Sequence, residues 1–458
     1  MRMVTICLLL VTLVASCSSD PNERANQAFV EAQQIIEKAS TQPPEERLRA
    51  LQAAQKKLMR IVDDHPTSNL AVQLSSGQNI GSISFKALSA QIWLVCTLVP
   101  DRGCVLDEAM QLARQITNEW SRATAFSAIA QAQAKAGLTK EASATLEQAL
   151  LIARSITDEW SRTSAFCAIA HAKAKAGLTS EASATFEQAL QGARSIKNDS
   201  LGVSALNFIA EAQAETGMIT EALLTAQSIK DEGFRAAALS AIARAQAEGG
   251  KISEALQVAR SINDQGWRTH ALTRVAAAQA KAGLVKEVDA TFEQALLIAR
   301  SITDESSRTT AFSAIAQAQA ETGRIAEALQ TAQLIKYDDH RLLSAIAQAQ
   351  AKAGLTREAS ATFEKALLIA RSVTNERSRA QSLHAIARAQ AKTGRIAEAL
   401  LTAQSITDEL VRVWSLADIA RAQAETGKIT EALLTAHSIK GESSRVTALS
   451  AIAEMLPK

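Results

Sequence analysis

The chain has few aromatic side chains. Of its 458 residues, ten are Phe, five are Trp and one is Tyr, and aromatic residues make up 3% of the total. Sites that stack sugar rings or nucleobases rely on aromatic side chains. This scarcity argues against a carbohydrate-stacking cleft or a base-stacking surface. A formal net charge of +2 likewise gives no reason to expect a nucleic-acid partner.

Motifs that carry catalysis or bind metals are also missing. The six histidines show no HExxH spacing, the five cysteines show no CxxC pair, and there is no phosphate-binding GxxxxGK[ST] loop or GxSxG turn. Carboxylates are plentiful but recur with an internal repeat, whereas an acid–base pair needs two different environments. The sequence therefore predicts no enzyme, no metal site and no cofactor.

A glycine recurs along most of the chain at a nearly constant interval. The gaps between successive copies are 40, 40, 33, 33, 40, 31, 40 and 33 residues. An interval of about 20–50 residues is typical of stacked repeat proteins. The recurring glycines are Gly137, Gly177, Gly217, Gly250, Gly283, Gly323, Gly354, Gly394 and Gly427.

Each repeat is predicted to be a pair of helices. In the first clear copy, helix A covers 124–136, Gly137 ends it, and helix B covers 139–156. Thr139 is expected to cap helix B. Asp158 is expected to cap the next helix A and to form an i,i+4 ion pair with Arg162.

The two main repeat lengths differ by seven residues, which is close to two turns of about 3.6 residues each. Such an insertion lengthens helix B without turning its apolar face away from the core. The copies that follow Gly137, Gly177, Gly283 and Gly354 are predicted to carry the longer helix B.

This pattern resembles the tetratricopeptide repeat over roughly 104–458. The resemblance implies an all-α solenoid of stacked antiparallel helix pairs, wound as a right-handed superhelix with a concave groove lined by the A helices. The chain departs from the family where Gln133 replaces a tyrosine of helix A, and where the closing proline is absent. The matching residues of the first copy are Ile129, Ala130, Gly137, Ala142, Leu146, Ala149 and Leu150.

One column of helix A varies while its neighbours stay constant. It stands six residues before each repeat glycine, in the part of helix A that lines the groove in tetratricopeptide arrays. We expect it to contact a protein or peptide partner, and Arg388 with Arg421 to receive an acidic peptide or a C-terminal carboxylate. The candidate residues are Gln131, His171, Glu211, Arg244, Gln317, Gln348, Arg388 and Arg421.

The N-terminus has the proportions of an export signal. Arg2 precedes an apolar run from Val4 to Val14, which is too short to span a bilayer. The following Val14-Ala15-Ser16-Cys17 resembles a bacterial lipoprotein box. This resemblance implies removal of residues 1–16, lipid on Cys17, and an extracytoplasmic location on the periplasmic face of the outer membrane.

The rest of the chain divides into two predicted parts. Residues 17–84 form a tether and a helical hairpin, with helices at about 23–39 and 45–63. Residues 85–458, beginning with a helix at about 85–98, form a solenoid of about nine to ten helix pairs. Export permits a disulfide between Cys96 and Cys104, and the sequence leaves this pairing open.

These features favour a binding scaffold for proteins or peptides in the bacterial envelope. One alternative is a cell-wall-acting enzyme, for which a unique Glu in an aromatic-lined cleft would be the sign. Another is a structural spacer that self-associates, because the final helix, 446–455, is apolar where a terminal repeat normally needs a polar outer face. The partner, the pathway and a role as scaffold or regulator cannot be read from the sequence.

Overall fold

The computed structural model describes residues 20–81, 83–335 and 340–456, and within them only helices, turns and one β-bridge, between Ile80 and Ile83, occur. The chain forms two units, which divide between Glu108 and Ala109. The predicted signal peptide and the lipid site at Cys17 lie outside the described residues.

The described residues of the first unit contain α1 Pro21–Ala39, α2 Pro44–Asp64, α3 Asn69–Ser75 and α4 Phe85–Leu98. Helices α1, α2 and α4 are close to the predicted ones, whereas α3 was not predicted. Helix α2 packs against both α1 and α4. The first unit therefore extends beyond the predicted border at residue 84. A disulfide joins Cys96 to Cys104 across a Cα–Cα distance of 6.3 Å, which answers the question that the sequence left open.

Helix α5 (Arg102–Gln115) leads into the second unit, where A and B helices alternate. The A helices are α6 Glu119–Lys135, α8 Glu159–Lys175, α10 Asp199–Glu215, α12 Glu232–Glu248, α14 Gln265–Lys281, α16 Glu305–Glu321, α18 His340–Lys352, α20 Glu376–Lys392, α22 Glu409–Glu425 and α24 Glu442–Met455. The B helices are α7 Thr139–Ser155, α9 Thr179–Ser195, α11 Ile219–Ser228, α13 Ile252–Ser261, α15 Val285–Ser301, α17 Ile325–Ala332, α19 Thr356–Ser372, α21 Ile396–Gln404 and α23 Ile429–His437.

The repeat glycine ends each A helix with a left-handed residue. Gly137 has φ of 82°, a region that other residues enter only with strain. Its N–H bonds the Ala134 carbonyl at 2.9 Å, and the next N–H, of Leu138, bonds the Gln133 carbonyl at 2.9 Å. The prediction that Thr139 caps helix B was wrong, because Leu138 occupies the cap position and no side chain caps the helix.

The predicted caps of the A helices are confirmed. The Asp158 carboxylate accepts a hydrogen bond from the Ser161 N–H at 2.8 Å. Arg162 donates to the carbonyl of Ile156, at 3.0 Å, and more weakly to that of Thr157. The Arg162 side chain thus binds main-chain carbonyls of the loop between repeats. The prediction gave this arginine only an ion pair with Asp158.

The two predicted lengths of helix B are also confirmed. Helices α7, α9, α15 and α19 have 17 residues each, whereas α11 and α13 have 10. In the first copy Ile129, Ala130, Ala142 and Leu146 are fully buried. Alanine at many of these positions lets the helices approach closely.

Tetratricopeptide repeats carry a tyrosine in helix A where this chain carries Gln133, and the structure shows what this residue does. At the position of Gln133, most copies carry a buried glutamine. In the third copy the Thr225 hydroxyl, on helix B, donates to Gln213 Oε1 at 2.8 Å. Pairing a buried amide in this way avoids the cost of leaving it unsatisfied.

The repeats of the second unit close into a ring. Each A helix packs against the next one along the chain, and α24 packs against α6. Lys135 Nζ lies 2.7 Å from Glu454 Oε2 at this junction. Val446, Leu449 and Ile452 of α24 are fully buried. The apolar surface that suggested self-association is therefore largely covered within the chain, and the sequence did not predict this closure.

Candidate functional site

The A helices line the inside of the ring. Among the described residues, B helices pack against A helices but not against one another, which places the B helices on the wider, outer circle. Packed helices lie about 8–10 Å apart, so ten in a circle give a ring of axes about 29 Å across. Subtracting a helix diameter of about 10 Å leaves a bore of roughly 19 Å.

All eight candidate residues stand on A helices, but they form different groups. Gln131, His171, Glu211 and Arg244 come from four successive A helices and line two adjoining pockets. Arg388 and Arg421 lie on the successive A helices α20 and α22. Two other candidates, Gln317 and Gln348, line neither of these pockets.

The first pocket, which we call the aromatic pocket, is formed by α6, α8 and α10 and has a volume of about 570 Å³. Its walls include Trp120, Trp160 and Phe208. The Trp160 and Phe208 rings meet edge to face with centroids 5.9 Å apart, and Trp120 Nε1 donates to Ser164 Oγ at 3.2 Å. Composition argued against a carbohydrate-stacking cleft, yet three of the few aromatic side chains gather in this pocket.

Two carboxylates form the polar end of the aromatic pocket. Arg244 Nη2 lies 3.1 Å from Glu211 Oε1 and 2.8 Å from Glu215 Oε1. His171 Nε2 lies 3.6 Å from the other oxygen of Glu215. Burial lowers the pKa of His171, and Glu215 only partly opposes this shift. The histidine is therefore neutral at pH 7, and the guanidinium of Arg244 holds both carboxylates in place.

A free thiol lies in the wall of the same pocket. Cys167 is partly exposed and lies within reach of the Phe208 carbonyl, with Sγ 3.8 Å from that oxygen. Burial, and then the charges of Glu211 and Glu215, raises the pKa of Cys167 to about 12. The thiol is thus protonated and behaves as a small apolar wall residue.

The second pocket, which we call the acidic pocket, is formed by α10, α12 and α14 and has a volume of about 410 Å³. It shares Glu211 and Glu215 with the aromatic pocket and adds Glu248, Trp267 and the guanidinium groups of Arg244 and Arg274. The two carboxylates therefore form a ridge between an apolar pocket and a charged one.

Imidazole and hydroxyl groups complete the acidic pocket. His270 Nδ1 and Ser240 Oγ share a hydrogen bond of 2.9 Å. Burial, and then the positive charges of Arg274 and Arg244, lowers the pKa of His270 to about 4. Because this histidine is neutral, it adds no positive charge to the pocket at pH 7.

A basic wall lies further round the ring, on α20 and α22. Arg388 Nε lies 3.5 Å from Asp418 Oδ2, while Arg421 is exposed and makes no ion pair with the described residues. Burial and the nearby Arg388 lower the pKa of Lys392. These three side chains give this wall an excess of positive charge over Asp418 and Glu425.

The described residues show neither a metal site nor a membrane-spanning helix. No group of three or more His, Cys, Asp or Glu side chains is placed to hold a metal ion in the part of the chain that the structure describes. Within the same residues, no helix combines the length and apolar character that a bilayer crossing requires.

No family model and no curated protein sequence matches this chain. Solved structures with similar helical repeats include Ton1535 from Thermococcus onnurineus NA1, which is 17% identical with a TM-score of 0.28, over 86% of this chain and 99% of that one. A Rap protein in complex with Competence and Sporulation Factor is 14% identical, with a TM-score of 0.25, over 84% and 97%. A circular tandem repeat protein is 12% identical, with a TM-score of 0.18, over 93% and 98%. Scores this low carry no argument about what this chain binds.

Proposed function

We propose that the second unit is a scaffold that binds an extended or helical segment of a partner protein on the inner face of its ring. The observation that carries this proposal is the gathering of Trp120, Trp160 and Phe208 in one inner pocket. Trp120 and Phe208 keep 41% and 52% of their surface exposed, so the ring leaves large apolar side chains uncovered on its inside. Exposed apolar surface of this kind, rimmed by polar groups, is typical of binding sites.

The width of the bore limits the form of the partner. A single helix is about 10–12 Å across, and an extended strand is thinner, so either enters an opening of roughly 19 Å. A folded domain of 100 residues has a radius of gyration of about 13 Å and is too wide. The partner therefore offers a terminus or a slender loop.

Photo-cross-linking tests this proposal. A photoreactive residue in place of Gln131, His171 or Arg388 is expected to trap one recurrent partner in cells, at one short segment of it. Lys140, which is exposed on the outer helix α7, is the matched control. Equal trapping from Lys140, or no adduct from any inner position, would overturn the proposal.

The aromatic pocket also contains glutamates, which bear on the enzyme alternative. Hydrolysis of a glycosidic bond uses two carboxyl groups that flank the bond. Glu211 and Glu215 instead stand one turn apart on the same helix, and both bind Arg244. This arrangement favours a structural ion-pair cluster over an acid–base pair. Clearing of cell-wall material that is lost in a Glu211→Gln or Glu215→Gln variant would reverse this conclusion.

We also propose that the mature protein is held in the envelope by lipid on Cys17, on the strength of the sequence Val14-Ala15-Ser16-Cys17. Metabolic labelling with an alkyne fatty acid is expected to mark the protein, and Cys17→Ser is expected to abolish the label and release the protein from membranes. Unchanged labelling of that variant would contradict this assignment.

A further inference from the structure

We propose that the aromatic and acidic pockets together recognise a peptide segment that carries a large apolar side chain, preferably aromatic, within about six residues of a Lys or Arg. This inference rests on the proposed function and names the partner chemistry of the same inner face. It follows from the shape, charge and spacing of the two pockets.

The aromatic pocket selects an apolar side chain. Trp120, Trp160 and Phe208 line it together with the small side chains of Ala128 and Ala168. Aromatic rings present both faces and edges to a guest, and aromatic pairs gain stability beyond the burial of their surface. The small alanines leave room for such a guest.

The acidic pocket selects a cation. It contains three carboxylates and two guanidinium groups. Arg244 is held by Glu211 and Glu215, and Arg274 Nη1 lies 3.6 Å from Glu321 on the next A helix, outside the pocket.

Glu248 takes no part in these ion pairs. It is exposed and makes no ion pair with the described residues, although its charge contributes to a raised pKa of Arg244. Trp267 lines the other end of the acidic pocket, because it lies in the first turn of α14 whereas Glu248 is the last residue of α12. The unpaired carboxylate of Glu248 offers a charge-assisted hydrogen bond to a Lys or Arg side chain.

The distance between the pockets matches an extended chain. The aromatic pocket is centred on α8 and the acidic pocket on α12. Because neighbouring A helices lie about 8–10 Å apart, the axes of α8 and α12 are separated by up to about 16–20 Å. An extended chain advances about 3.3 Å per residue and covers that distance in about five or six residues. One segment can place its apolar residue on one side of the ridge of Glu211 and Glu215 and its basic residue on the other.

Defined peptides test this inference on the full-length protein. The probes are acetylated and amidated octapeptides of Gly and Ser with one Phe and one Lys, in a series whose spacing runs from about two to about six residues, measured by titration calorimetry. Replacing Phe by Ala, or Lys by Glu, is expected to weaken binding at least about tenfold, which is about 1.4 kcal/mol. Equal affinity for either altered peptide would overturn the inference.

Variants of the protein assign each preference to its pocket. Trp160→Ala is expected to abolish the preference for Phe, and Phe208→Ser, at a more exposed position, does the same if Trp160→Ala fails to fold. Glu248→Gln is expected to abolish the preference for Lys over Glu. Glu425→Gln changes the same repeat position on α22 and is expected to leave both preferences intact.

The outcomes separate this inference from the proposed function. If the peptides bind but Arg388→Ala, and not Trp160→Ala or Glu248→Gln, changes their affinity, the inner face still binds peptides and the assignment to the two pockets is wrong. If no peptide binds while the inner positions still cross-link a partner, the partner chemistry is wrong. Failure of both experiments removes the inference and the proposed function together.

Discussion

Lys135 and Glu454 are 319 residues apart in the chain, and their side chains form a 2.7 Å ion pair. Lys135 ends the first A helix of the second unit, and Glu454 lies in the last. Their contact therefore marks the junction at which the array closes on itself.

A zero-length carbodiimide cross-link is expected to join Lys135 to Glu454 in the folded protein. The linked peptides are identified by mass spectrometry, and Lys135→Gln is expected to remove them. The ion pair between Lys57 and Glu31 serves as an internal control within the first unit. A cross-link at Lys57 without one at Lys135 would show that the array is open in solution.

Removing that ion pair alone is expected to cost little stability. Lys135 is 60% exposed, and exposed pairs contribute about 0–1 kcal/mol. Ile452→Ala, in contrast, leaves a cavity in a fully buried part of α24 and is expected to cost about 2–5 kcal/mol of the free energy of unfolding. Urea denaturation measures both variants. A larger loss for Lys135→Gln than for Ile452→Ala would contradict this ranking.

The positive φ of the repeat glycines predicts that replacing one of them by alanine lowers the free energy of unfolding. Gly217 has φ of 83° and open space where a Cβ would stand, so Gly217→Ala is expected to cost about 1–2 kcal/mol from backbone strain alone. Gly441 has an ordinary φ of −82°, and Gly441→Ala is expected to be nearly neutral. Thermal or urea unfolding compares the two, and equal losses would show that the sign of φ is not the cause.

The thiol of Cys167 is expected to react slowly. Its pKa is raised from 9.0 to about 12, which lowers the fraction of thiolate about 1,000-fold at neutral pH. Iodoacetamide labelling at pH 8 is therefore expected to be slow in the folded protein and fast in urea. Similar rates in both conditions would place the thiol in water and outside the pocket wall.

The lowered pKa of His270 predicts that the protein loses stability in mild acid. Its folded pKa of about 4 lies below the ordinary 6.5, so the unfolded chain binds more protons between these values. The stabilisation is fully present above pH 6.5 and falls as the pH is lowered, by about 2 kcal/mol between pH 7 and pH 5. His270→Gln is expected to remove this part of the pH dependence, measured by urea denaturation. An unchanged slope would contradict the assignment.

Much of the fold follows from local signals in the sequence. The left-handed glycines, of which Gly137 is the first in the array, end the A helices where their spacing indicates. The carboxylate of Asp158 begins the next A helix as predicted. The seven-residue difference appears as two extra turns of helix B. Each of these features depends on residues that are close together in the chain, so a single copy contains the information.

Closure and the aromatic pocket depend on relations between copies. The ring closes because small rotations at ten interfaces between A helices add up to a full turn. No single residue determines that total. Trp120 and Trp160 do stand at the same repeat position, 40 residues apart, and this signal in the sequence could have identified two walls of the pocket. Phe208 comes from a different position of its repeat, and only the packing of α10 beside α8 brings it there.

A ring also restricts how the gene for such a protein can change. Repeats in an open stack can be gained or lost singly, because each contacts only its neighbours. Ten A helices in a circle turn by about 36° at each joint, and deleting one would require about 40° at all the others. The near-identical stretches that follow Gly137 and Gly177 favour unequal recombination. A change in the number of copies would therefore have to be accommodated at every joint of the ring at once.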